Sequence, residues 1–218
     1  MTSCSKFMQS PEEVASGEIA QAKVAARVAN DFKVVTNASQ ITVRMVKDDS
    51  IPVAATFNLN GGELKLAESG ATSAGVAPTM AHVVVDMASF NSGLLIRDDR
   101  VRSIFFETQE AKNTLMTIAI SAVSPETIAA LRSKGAVNGV PVTGSLSYLE
   151  KIIPVVATVD LNITDEDRFR VTSTSPVIVK ISELGLNSNL TKLMTACGHK
   201  SVADEVSVEF NLEFEGVR

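Results

Sequence analysis

The densest run of reactive side chains lies between Ser89 and Glu107, SFNSGLLIRDDRVRSIFFE. There Arg97, Asp98, Asp99, Arg100 and Arg102 fall within six residues and run straight into Phe105 and Phe106. Guanidinium groups in such a cluster suit an anionic head group, a phosphate above all, which they grip by paired charge-assisted hydrogen bonds. The same residues also have an architectural use, because Asp98 and Arg102, four apart, can pair on one face of a short helix. Catalytic chemistry is poorly served. The only histidines are His82 and His199, and no Gly-x-Ser-x-Gly elbow supplies a nucleophile for a hydrolase triad. His82 opens a strand on the face opposite Val83 and reads as a rim residue. His199 falls between a helix end and a strand, where its charge suits helix-terminal carbonyls. Cys197-x-His199 offers two metal ligands, which is too few for a site, and a packed cysteine at a helix end explains it better. The carboxylate pairs Glu12-Glu13, Asp48-Asp49 and Asp98-Asp99 are adjacent in sequence, so neither member can face the other across a glycosidic bond. No catalytic residue and no metal ligand is expected.

The elements that carry these residues have a period of two. Ile41, Val43 and Met45 alternate with polar partners, as do Val53, Ala55 and Phe57, and later Met116, Ile118 and Ile120. Val140, Val142 and Leu146 continue the pattern, followed by Ile153, Val155, Ala157 and Val159. In the last segment Val206, Val208, Phe210, Leu212 and Phe214 interleave with Glu205, Ser207, Glu209, Asn211 and Glu213. One dry face and one wet face mean an antiparallel sheet, closed as a barrel or folded as a sandwich. Short helices interrupt it. Ser124-Pro125 forms a cap and first turn, with Ile128 and Leu131 inward and Gly135 as the stop. Ser188 is the expected cap of a second helix that ends at Gly198, and Leu94 to Ser103 reads as a third. The small-residue run from Ala67 to Pro78 reads as a long loop.

A net charge of −5 over 218 residues argues against a nucleic-acid partner, which needs a basic face. No run approaches the roughly 18 apolar residues of a membrane helix. The hydrophobic fraction is nevertheless 45%, with no Trp and one Tyr, so small aliphatic residues supply the excess. Walls of Val, Ile, Ala, Met and Gly favour a hollow over a solid core.

The segment Ser89, Ser92, Arg97-Asp98, Val101-Arg102-Ser103 and Phe105-Phe106 resembles the pattern that follows an early strand in the YceI-type family of lipocalin-like polyisoprenoid-binding proteins. Arg100 and Ile104 depart from that pattern, which often has His and Asp there. Gly61-Gly62-Glu63-Leu64 after Phe57 resembles the family's hairpin, and Cys197 to Val206 resembles its junction between a helix and the last strand. The resemblance spans roughly residues 32–216. It implies a mainly β fold, an antiparallel lipocalin-like barrel of about eight strands with short helices at one end, occupying residues 32–218. No cofactor is implied beyond an apolar lipid ligand. The expected activity is sequestering or carrying a long-chain amphiphile, such as a polyisoprenoid, an isoprenoid quinone or a fatty-acid derivative. Phe57, Val85, Phe105, Phe106, Met116, Ile118, Leu146 and Val155 are the expected tail contacts, and Arg97, Arg100 and Arg102 the head-group contacts. The alternative is a ligand-free envelope protein that recognises a partner through the acidic outer face of the last strand.

Residues 1–31 read as a tether. Thr2-Ser3-Cys4 followed by Ser5-Lys6 resembles the end of a bacterial lipoprotein signal peptide, which makes Cys4 the expected site of lipidation. The expected location is the periplasmic side of a bacterial envelope, with membrane attachment only through that anchor. A homodimer stays open.

Overall fold

The computed structural model describes residues 31–66, 80–120, 123–165 and 167–217. Cys4, the tether up to residue 30 and the whole Ala67–Pro78 loop lie outside these residues. Eleven strands form one antiparallel sheet: β1 (Asp31–Val34), β2 (Gln40–Lys47), β3 (Ile51–Phe57), β4 (Leu59–Lys65), β5 (Met80–Asp86), β6 (Leu115–Ile120), β7 (Ala136–Tyr148), β8 (Lys151–Asp165), β9 (Arg168–Ser173), β10 (Val177–Lys180) and β11 (Glu205–Gly216). Eight of them close a barrel in the order β1-β4-β5-β6-β7-β8-β9-β11, with β11 returning to β1 through Phe32↔Gly216 and Val34↔Phe214.

The other three strands extend that barrel. The second half of β11 pairs with β1 and β9, and its first half pairs with β2 and β10. Thus β1–β2 and β9–β10 are each one wall strand broken by a short turn, and β3–β4 is broken the same way at Asn58. The period-two alternation is what permits the closure: Phe32, Val34, Ile41 and Val43 turn inward while their neighbours face water.

Two glycines let strands approach where a side chain cannot fit. A Cβ on Gly62 would lie 2.6 Å from the His82 carbonyl oxygen, and one on Gly144 would lie 2.2 Å from that of Ala119. Gly61-Gly62 is therefore not a hairpin turn, as its motif suggested. It lies inside β4, just past a bulge between Leu59 and Gly61.

Among the described residues three α-helices flank the barrel: α1 (Leu95–Arg100), α2 (Pro125–Lys134) and α3 (Asn187–Cys197). The α2 helix forms as its sequence dictates. The Ser124 hydroxyl accepts from Thr127 N–H at 3.2 Å, Ile128 and Leu131 are buried, and Gly135 ends the helix at φ 76°. The α3 helix ends at Gly198 (φ 69°), but it starts two residues earlier than a cap at Ser188 would place it and has no side-chain cap. Its entry is held instead by the buried Leu186, whose carbonyl accepts from Leu190 N–H at 2.8 Å. The α1 helix runs directly into a π-helical turn, Val101–Phe105, closed by Phe106 N–H on the Val101 carbonyl at 2.9 Å. The wider turn brings Val101, Phe105 and Phe106 together on the buried side.

Candidate apolar binding cavity

The charged cluster is a fastening for this helical plug. Asp98 is only 3% exposed, and its carboxylate accepts from Ser92 N–H at 2.9 Å and from the Ser92 hydroxyl. Arg97 completes the knot by donating Nε to Ser92 Oγ at 2.6 Å and Nη2 to the Ser92 carbonyl at 2.9 Å. Arg102 pairs with Asp99 three residues back, not with Asp98 as the spacing suggested, because Asp98 is turned inward to Ser92. Ser89 joins the chain on either side, accepting from Asn58 N–H at 2.8 Å and donating to the Asp86 carbonyl at 2.6 Å. These serines, Asp98 and Arg97 are the residues that carried the family pattern, and their geometry explains why those types stand at those positions.

Beneath the plug, Phe106 packs against Phe105, Phe57 and Tyr148 with ring centroids 4.7, 5.9 and 6.1 Å apart. The Tyr148 hydroxyl donates to the Asn113 carbonyl at 3.0 Å. Burial, assisted by the negative charge of Glu107, pushes the Tyr148 phenol up to about 12.

Inside the wall are two adjoining chambers of about 150 and about 120 Å³. The first lies under the plug and α3, between β2, β3, β10 and the first half of β11. The second fills the closed barrel next to α2, and every residue lining it is apolar. Of the expected tail contacts, Phe57, Val85, Phe105, Phe106 and Met116 line the first chamber, Val155 lines the second, and Ile118 and Leu146 line both. Arg97 also reaches the first chamber. Arg100 and Arg102 are not among its lining residues: Arg100 Nη1 contacts Cys197 Sγ at 3.6 Å, and Arg102 is held by Asp99. Arg100 ends α1 and Arg102 lies in the π turn after it, so the two stand on different parts of the plug.

The residues with polar side chains that border the first chamber are Lys47, Arg97, Cys197 and His199, and they face it with their apolar atoms. His199 Nδ1 lies 3.1 Å from Asp48 Oδ2, so its partner is a carboxylate rather than helix-end carbonyls. The Lys200 backbone N–H, with His199 beside it, holds the Asp48 carboxyl below the usual range. Cys197 and His199 therefore have separate partners, and no cluster of three or more candidate metal ligands occurs among the described residues. Sequence reasoning missed Lys47 and the apolar contributions of Leu184, Leu186, Leu190 and Leu193. The heptad-like face of α3 carried a usable signal for the last two. Lys47 gave none, since only the fold brings the β2 end to α3.

Two carboxylates on the acidic face of the last strand are held in ion pairs. Glu213, buried to 6% exposure, accepts from Arg170 Nη2 at 2.9 Å, and Glu209 pairs with Arg44.

A closed antiparallel barrel with an apolar interior and a helical plug at one end defines a lipocalin-like binding protein. The YceI-like domain model matches residues 32–214, and the chain belongs to that family. Among solved structures, it is similar to a polyisoprenoid binding domain from Saccharophagus degradans implicated in plant cell wall breakdown. That likeness has 19% identity and a TM-score of 0.66, covering 87% of this chain and 99% of that one. It is also similar to BcnA of Burkholderia cenocepacia, with 21% identity and a TM-score of 0.58, covering 83% of this chain and 98% of that one. No curated protein matches the chain.

Proposed function

We propose that the protein binds one long-chain apolar amphiphile inside the barrel and stores or carries it, without chemical change. A polyisoprenoid, an isoprenoid quinone and a long fatty-acid derivative all have the required chemistry. The observation that carries this reading is the apolar cavity: the second chamber is lined wholly by apolar residues, and the charged residues Lys47 and Arg97 border only the first, facing it with their apolar atoms. A chain can thus lie along the barrel with its polar end at the plug. The naming of a structural neighbour as polyisoprenoid-binding supports the same reading.

The energetics favour it. Burial contributes about 0.8 kcal/mol per methylene, so twenty carbons give on the order of 16 kcal/mol before ordering costs are subtracted. No charged or catalytic contact is required for tight binding. Head-group recognition then falls to Lys47, Arg97 and His199 rather than to the arginines of α1 as a group. Attachment at the periplasmic face of an envelope through Cys4 is part of the proposal, and intact mass after expression with a full signal sequence tests it. The ligand claim is tested by titrating delipidated protein with a polyene fatty acid whose fluorescence rises in apolar surroundings. Saturable enhancement reversed by a prenol supports carriage, and no enhancement at any concentration contradicts it.

A further inference from the structure

The two chambers meet at a single level of the barrel, strand by strand. On β6, Met116 faces only the first chamber, Ile120 only the second, and Ile118 between them faces both. On β11 the same step runs from Val206 through Val208 to Phe210. Ile41 on β2, Leu146 on β7 and Val179 on β10 are the other residues common to both chambers. Ile118 and Leu146 are register partners on β6 and β7, whereas β10, β11 and β2 are successive neighbours on the opposite arc. Two short walls of branched aliphatic side chains therefore face each other across the channel.

The geometry points to this ring of Ile41, Ile118, Leu146, Val179 and Val208 as a waist that sets which chain lengths the protein holds. The inference rests on the carrier reading and adds a specificity to it. From Ile41 at the waist to Lys47 at the plug end is six residues of β2, and from Val208 to Phe214 is six residues of β11. At about 3.3 Å per residue and a strand tilt near 40°, each chamber is about 15 Å deep. An extended isoprene unit, four bonds of about 1.5 Å in zigzag, spans about 5 Å. The first chamber thus takes about three units, and a chain of about six must pass the waist to fill both. The selected ligand is one unbranched or methyl-branched chain of that longer class. A short prenol loses half the burial, and a bulky or paired chain cannot thread branched side chains from both walls.

The test is a competition titration with prenols of about three and about six isoprene units, on wild type, Leu146→Trp and Ile118→Phe. Val208→Met enlarges the opposite wall more gently, should either of the others fold poorly. Each methylene held out of the cavity weakens binding by about fourfold. Wild type is expected to prefer the longer prenol. Variants that keep the native urea midpoint are expected to lose about tenfold or more on the longer prenol relative to the shorter one, compared with the same ratio in wild type. Folded variants that hold the longer prenol as wild type does overturn the waist and leave the carrier reading standing. Wild type that binds neither prenol overturns the carrier reading itself.

Discussion

Removing the Asp98 carboxylate tests whether the charged cluster is a fastening. Asp98→Ala deletes two hydrogen bonds, from Ser92 N–H at 2.9 Å and from the Ser92 hydroxyl, and strands an Arg97 that was held through the same serine. Bonds to a charged acceptor contribute about 1.5–3 kcal/mol each, so the pair is worth about 3–6 kcal/mol. Ser92 is only half-buried, so water can replace part of what it loses, which sets the expected cost near the lower bound, about 3 kcal/mol. Asp98→Asn keeps the volume and one acceptor oxygen and should cost about 1–2 kcal/mol. With no tryptophan in the chain, the assay is urea unfolding followed by far-UV circular dichroism. A cycle with Ser92→Ala should return a coupling of at least about 0.5 kcal/mol, as for residues sharing one network. The reasoning is refuted if Asp98→Ala unfolds within about 0.5 kcal/mol of wild type at an unchanged denaturant slope.

Further expectations follow from single contacts. Gly144→Ala forces a methyl to within 2.2 Å of the Ala119 carbonyl and should cost about 2–3 kcal/mol by urea unfolding, more than Gly139→Ala, where only the φ of 67° resists. Arg102→Ala breaks an ion pair whose Asp99 side chain is 73% exposed, and should change stability by no more than about 0.5 kcal/mol. Asp48 is held below its ordinary range chiefly by the Lys200 N–H, so its stabilisation is present above the unfolded value of about 3.9 and fades as pH falls through the lower folded one. Asp48→Asn should therefore be less stable than wild type at pH near 7, with the gap closing by pH near 2 in denaturation series.

Most of the wall was legible because a β-strand writes its burial directly into alternate residues. Ile118, Leu146 and Val155 could be picked as inward from pattern alone, and each does line a chamber. The α2 boundaries were legible for a similar reason, since Ser124, Pro125 and Gly135 act on the backbone next to them. What escaped was set by contacts distant in sequence. Whether Gly61-Gly62 turns or continues depends on the backbone of β5 passing 2.6 Å from a Cβ on Gly62. The spacing of Asp98 and Arg102 permits a pair, but Ser92 outcompetes the arginine by offering two donors at once. Arg97, Arg100 and Arg102 look alike in sequence, and only the packing of α1 and its π turn decides that one of them reaches the cavity.

The central claim is that the barrel holds an apolar chain, and native mass spectrometry of protein purified without detergent tests it most directly. The account predicts a mass excess of a single chemical class that solvent extraction removes, and that added prenol restores at one equivalent per barrel. A clean apo mass that takes up neither prenol nor fatty acid would contradict it.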